Sequence, residues 1–174
     1  MEKSTLPFMP VFFDRYIHQV EDIPLLEALE KFRPAQLFAD QQRLQQLGDQ
    51  VYEEGKWTVR DILQHCIDTE RIMSYRALRI ARNDQTPLPG FEENDFAQEA
   101  RAQQRSLTDL MEEFEALRMC TLLQFKCFDA DVLLRQGTAS GQAISVAALG
   151  FTIAGHALHH RRILQERYFP LLDA

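Results

Sequence analysis

A chain of 174 residues is long enough for one domain with a substantial hydrophobic core and short for two independent cores. With 19 Lys and Arg against 26 Asp and Glu, its net charge of −7 disfavours nucleic acid and anionic membrane as partners, since neither is attracted without a concentrated basic face. No apolar run reaches the roughly 18 to 20 residues of a membrane span, and the start from Met1 to Pro7 lacks the apolar core of a secretion signal, so a cytoplasmic protein is expected.

Residues 1–20, with prolines at 7 and 10 and aromatics at 8, 12, 13 and 16, show neither helical nor strand period and read as an arm packed on the body, residues 21–174. His18 belongs to that arm and receives no role. From Pro24 to about Leu47 the content is helical, broken at Arg33-Pro34, which predicts a short helix and then a longer one starting near Pro34. The next helix has the best-defined start in the chain. Thr58 can cap it while Asp61 reaches back, Trp57 can pack on Ile62, and no Gly or Pro interrupts it until about Arg82. Arginines 76, 79 and 82 gather at its end, where cations complement the helix dipole.

Asn83 to Asp95, containing Pro87-Leu88-Pro89-Gly90, is a long connection of the kind that often serves as a lid or pocket wall. Phe96 to about Phe128 returns to helical content with a cap signal at Ser106 and Asp109, where a break is expected. Gly137 to Gly141 reads as a turn, and Ser145 caps a last helix running to about Tyr168 before Pro170. No strand hairpin is predicted. Cys66, Cys120 and Cys127 lack C-x-x-C spacing, fall within helical patterns and read as small buried apolar residues. Long helices joined by loops indicate an all-α bundle.

The chemistry concentrates in the histidines. His156 and His160 are four residues apart, hence on one face of a helix, as two ligands of one ion must be. At about 100° per residue, Leu149, Thr152, Ile153, Ile163 and Leu164 share that face within about 80°, so the pair faces the core. His159 falls about 60° to the other side of His156 and is the weaker ligand, suited to a hydrogen bond or to covering the site. His65 sits beside Thr69 and Arg76, off the main apolar stripe of its helix. If that helix packs against the last one, His65 supplies a third nitrogen, and three protein ligands with an open fourth position is the pattern of a catalytic metal.

Two further side chains are candidates for a part in catalysis. Glu70 falls within the stripe of Val59, Leu63, Cys66, Met73 and Ala77, so it needs a partner. An arginine ion pair is the ordinary reading, and its position roughly 140° from His65 argues against both holding one ion. Arg76, close in phase to His65, could steer an anionic carboxylate, although surface solvation is the ordinary reading. The last helix also carries a second apolar face, Ala147, Phe151, Ala154 and Leu158, to be covered by the same chain or by a second copy, and a homodimer is expected.

These residues resemble the DinB-like superfamily, the DinB/YfiT-like metalloenzymes. The likeness rests on residues 55–65 (Gly55 to His65), Thr69-Glu70-Arg71, Tyr75 to Arg79, Thr86 to Phe91 and Gly155 to His160, in an order and spacing that match from about residue 20 to 168. It implies an all-α, four-helix bundle of up-down-down-up type with a divalent metal, zinc or nickel, held by His65, His156 and His160. Relatives with known activities are mostly thiol-dependent, using bacillithiol or mycothiol, with the metal lowering the thiol pKa. The expected function is therefore a thiol S-transferase acting on a small-molecule electrophile, with a hydrolase using metal-bound water or a non-catalytic metal-binding protein of stress-related role as alternatives.

Overall fold

Local side-chain chemistry sets the three long helices of the computed structural model, which describes residues 1–173. The helices before the first long one are short: α1 (Asp14–Ile17), α2 (Leu25–Lys31), α3 (Pro34–Leu37) and α4 (Gln41–Leu47). The single helix expected from Pro34 onward is two, because Asp40 starts a fresh turn by accepting the Arg43 amide at 3.2 Å. Helix α5 (Val59–Ala81) opens with a reciprocal box. The Thr58 amide donates to Asp61 Oδ2 at 2.9 Å and the Asp61 amide to Thr58 Oγ1 at 3.3 Å. Ser106 and Ser145 cap α7 (Leu107–Lys126) and α9 (Val146–Ile163), accepting the Asp109 and Ala148 amides at 3.0 and 3.2 Å. Each such cap contributes about 1 kcal/mol and fixes where a helix enters the bundle.

Between α5 and α7 the connection is shorter than the sequence implies. Helix α6 (Glu93–Ala100) already begins at Glu93, and Arg101 in the left-handed region ends it before a single turn at Ala102–Gln104. After α7 come α8 (Ala130–Leu133) and a feature the sequence reading omitted, an antiparallel hairpin of β1 (Gln136–Ala139) and β2 (Gln142–Ser145). Its two-residue turn has φ +51° at Ser140 and +75° at Gly141, the positive pair that suits the strand twist. Four-residue strands carry too little alternation to register as strands, which is why only the turn was legible.

Helices α2, α5, α7 and α9 form the bundle, α5 packing on α7 and α9, and α2 closing the far side against the same two. Ala147, Phe151, Ala154 and Leu158, the second apolar face of α9, are buried by the chain itself, against Phe13, Ile17, Val20 and α2. Covered in this way, that face does not call for a second copy. Gly155 lets the arm approach: a Cβ there would lie 2.0 Å from the Tyr16 carbonyl oxygen. Of the cysteines only Cys66 is buried; Cys120 and Cys127 lie on the exposed side of α7 and just past its end, correcting the expectation for those two. No helix among the described residues is long and apolar enough to cross a membrane.

Candidate metal centre

Side-by-side packing of α5 and α9 brings His65 to the pair on α9. His65 Nε2 lies 3.0 Å from His156 Nε2, His160 Nε2 lies 3.2 Å from the same atom, and ring nitrogens of all three fall within 4.8 Å of one another. Nitrogens about 2.0 to 2.1 Å from one tetrahedral ion are about 3.3 Å apart, so the cluster has the size of a three-imidazole metal site. The proton arithmetic points the same way. His156 Nε2 faces two neighbours but, as acceptor or as donor, makes one good hydrogen bond, and a shared cation resolves both contacts. His160 Nδ1 is buried without a partner, while Gln19 Nε2 meets His159 Nδ1 at 3.2 Å.

Burial also sets the protonation state. It pushes the His65 pKa down to about 4, with His159 adding a smaller like-charge effect, and drives His156 and His160 well below their usual value, again with burial first and the neighbouring histidines second. All three are neutral at pH 7, the form that binds metals. Trp57 packs on the His65 ring at 4.7 Å between centroids, and Tyr168 holds it by donating to the Trp57 carbonyl at 2.5 Å from a π-turn at Leu164–Tyr168 that ends α9.

Two cavities reach the cluster. One, of about 570 Å³, is lined by His65, Thr69, Met73, Arg76 and His156 on the helices, by Phe12 and Phe13 of the arm, and by Phe91 and Phe96. The other, of about 470 Å³, opens beside His159 and His160 and is bordered by Arg15, Lys56, Trp57 and Tyr168. Tyr16 and Glu93 border both. The Tyr16 ring stands edge-on to His156 at 5.0 Å and His159 at 5.5 Å, and burial raises its pKa, so at neutral pH its hydroxyl keeps its proton.

A model of the DinB superfamily matches residues 24–164, taking in all three histidines. The chain belongs to the DinB superfamily. Among solved structures it is similar to YfiT from Bacillus subtilis, described as a probable metal-dependent hydrolase with an unusual four-helix bundle topology. The TM-score is 0.72 and the identity 17%, over 84% of this chain and 85% of that one. At that identity the likeness is one of fold. A search of curated proteins finds no match.

Within this DinB-superfamily chain the other candidates separate cleanly. His159 stands outside the cluster, half-buried, bonded to Gln19 and edge-on to Tyr16. Glu70 forms a buried two-pronged ion pair with Arg118, at 2.9 Å to Nε and 2.8 Å to Nη2, away from the cavities. Arg76 corrects the sequence reading: it is 2% exposed rather than solvated at a helix end, donating to the Pro89 carbonyl at 2.6 Å and Ser140 Oγ at 3.1 Å. Of the arginines grouped with it, Arg79 pairs instead with Asp84. The connection after α5 forms part of the cavity wall and is tied to the hairpin, where the Leu88 amide donates to the Thr138 carbonyl at 2.9 Å and the Ser140 amide to the Leu88 carbonyl at 3.0 Å. Phe12, Phe13 and Tyr16 were missed as site residues. The density of aromatics in the arm was the available signal.

Proposed function

We propose that the protein is a metal-dependent enzyme acting on a small organic molecule, in which His65, His156 and His160 hold a divalent cation, zinc or nickel. The observation that carries this reading is three neutral, buried imidazoles meeting at the floor of cavities of substrate size. A cation held there supplies one thing, a lowered pKa for a bound thiol or water. The chain's own residues do the rest. Burial keeps the imidazoles deprotonated, Trp57 packs against the His65 ring, Phe12, Phe13, Phe91 and Phe96 give the larger chamber an apolar wall, and the Tyr16 hydroxyl offers a proton at the boundary of the two chambers.

Transfer of a low-molecular-weight thiol to an electrophile is the reaction the layout favours, since two chambers flanking one cluster give separate room for two organic reactants. Hydrolysis is the second reading, supported by the likeness to YfiT, described as a probable metal-dependent hydrolase. Zinc- and nickel-loaded protein incubated with bacillithiol, mycothiol or cysteine and 1-chloro-2,4-dinitrobenzene should consume thiol. His156→Ala should abolish both metal binding and consumption while the helical circular dichroism persists. Unchanged thiol consumption in that variant refutes transfer at this site, and metal-dependent cleavage of 4-nitrophenyl esters without thiol consumption selects hydrolysis.

A further inference from the structure

The larger cavity holds a buried cation that no carboxylate pairs with among the described residues. Arg76, 2% exposed, takes part in no ion pair among the described residues. Its contacts are a carbonyl, a hydroxyl and, from Nη1, the Met73 sulfur at 3.5 Å. Five N–H groups serve those three contacts, which leaves Nε–H and one Nη1–H without a partner. The other strongly buried arginine among the described residues, Arg118, is matched by Glu70. Burying a guanidinium costs several kcal/mol unless an opposite charge compensates it, and burial alone acts on the Arg76 pKa, downward.

A second group on the same wall is also unmatched. Thr69, 4% exposed, lines the cavity between His65 and Arg76, and its Oγ1 is buried with no hydrogen-bond partner. His65, Thr69 and Arg76 lie within about 40° of one another around α5, so they form one stripe along the cavity. The histidine and arginine backbones are about 16 Å apart along the axis. Since the arginine side chain reaches back toward the N-terminus, its guanidinium lies on the order of 10 Å from the imidazole. Met73, Phe13 and Phe91 make the flanking surface apolar, and Glu92, Glu93 and Asp95 stand at the mouth, exposed to water. None of those solvated carboxylates forms an ion pair with Arg76.

We infer that the cavity binds an elongated monocarboxylate, its carboxylate on Arg76, its apolar middle passing Thr69 and Met73, and its far end at the histidines. Resting on the reading of that cavity as the substrate chamber, this names a substrate class: one carboxylate and a reactive group about eight bonds apart, with a hydrogen-bonding atom between them welcome at Thr69.

Binding of 8-phenyloctanoate and of its neutral analogue 8-phenyloctanamide to the metal-free protein, measured by calorimetry, tests the inference without turnover. The carboxylate should bind roughly ten- to hundredfold more tightly than the amide, the size of a charge-assisted hydrogen bond in a buried site. Arg76→Met should erase that preference, and Arg76→Lys should restore part of it. Equal binding of the two probes to the wild type, no binding of the carboxylate at about 1 mM, or a preference that survives in Arg76→Met overturns the proposal. Should Arg76→Met fail to fold, the wild-type comparison of the two probes decides alone. Zinc titration of the same samples keeps the two readings apart: loss of the carboxylate preference with zinc binding intact sinks the subsite only, and the reverse sinks the metal centre only.

Discussion

Replacing Arg118 by methionine removes a fully buried guanidinium that links three bundle helices. It pairs with Glu70 on α5, itself sits on α7, and donates through Nη1 to the Leu29 carbonyl at 3.2 Å and to the Phe32 carbonyl at the end of α2. Without it the Glu70 carboxylate, 3% exposed, is left as a buried lone charge. That costs about 3 to 5 kcal/mol, and two orphaned carbonyls add at least about 1 to 3 more. A total of about 4 to 8 kcal/mol is a large share of the roughly 5 to 15 that holds a domain folded. Glu70→Gln keeps one oxygen for the arginine and should cost only about 1 to 3 kcal/mol. Glu70→Leu combined with Arg118→Met removes the stranded charge and should be more stable than Arg118→Met alone by about 2 kcal/mol. Urea unfolding at neutral pH measures all three. An Arg118→Met protein within about 1 kcal/mol of wild type, or a double variant weaker than that single one, would refute the account. Glu70→Gln should also bind zinc as the wild type does, because its carboxylate braces the scaffold and does not face the cavities.

Zinc should raise the stability of the wild type by about 4 kcal/mol at a thousandfold excess over its dissociation constant, and should leave His156→Ala unmoved; an equal rise in melting temperature for both proteins counts against the three-histidine site. Gly155→Ala, which in an open helix would add about 1 kcal/mol, should instead cost about 1 to 3, because the new Cβ meets the Tyr16 carbonyl. Denaturation curves together with the rate of proteolysis within residues 1–20 check it, and a stabilised variant would show that the arm is not seated as described. Burial, with Tyr52 second, raises the Tyr168 pKa from 10.0 to about 12. A raised value favours the neutral phenol in the fold, so this contribution is complete below about pH 10 and is lost as pH climbs toward 12, up to about 2 kcal/mol. Tyr168→Phe should show a shallower alkaline loss of stability between about pH 9 and pH 11, and identical slopes for the two proteins would contradict the assignment.

Much of the site was legible because it rests on local chemistry. The Thr58–Asp61 box and the Ser145 cap mark where α5 and α9 begin, and the helical period then places His65, His156 and His160. Glu70 was legible as a buried charge in need of an arginine, though which arginine depended on how α7 was turned. What failed depended on distant contacts. Arg76 lies on the more polar side of α5, and only the hairpin and the Pro89 carbonyl, brought from 64 and 13 residues away, convert that side into the wall of a cavity. The aromatic density of the arm hinted at Tyr16 without placing it, since its position beside His156 requires the arm to cross α9 at Gly155. Cys120 and Cys127 were misjudged because cysteine itself carries a burial prior that outweighed the helix phase.

The single tryptophan of the chain gives the protein a built-in optical gauge. With its indole centroid 4.7 Å from that of the His65 ring, Trp57 emission should respond when an ion reaches the imidazoles: strong quenching by paramagnetic nickel or copper, a spectral shift with zinc. Occupancy could then be followed in real time on unlabelled protein, with the order in which cation and organic ligand arrive written in one fluorescence trace.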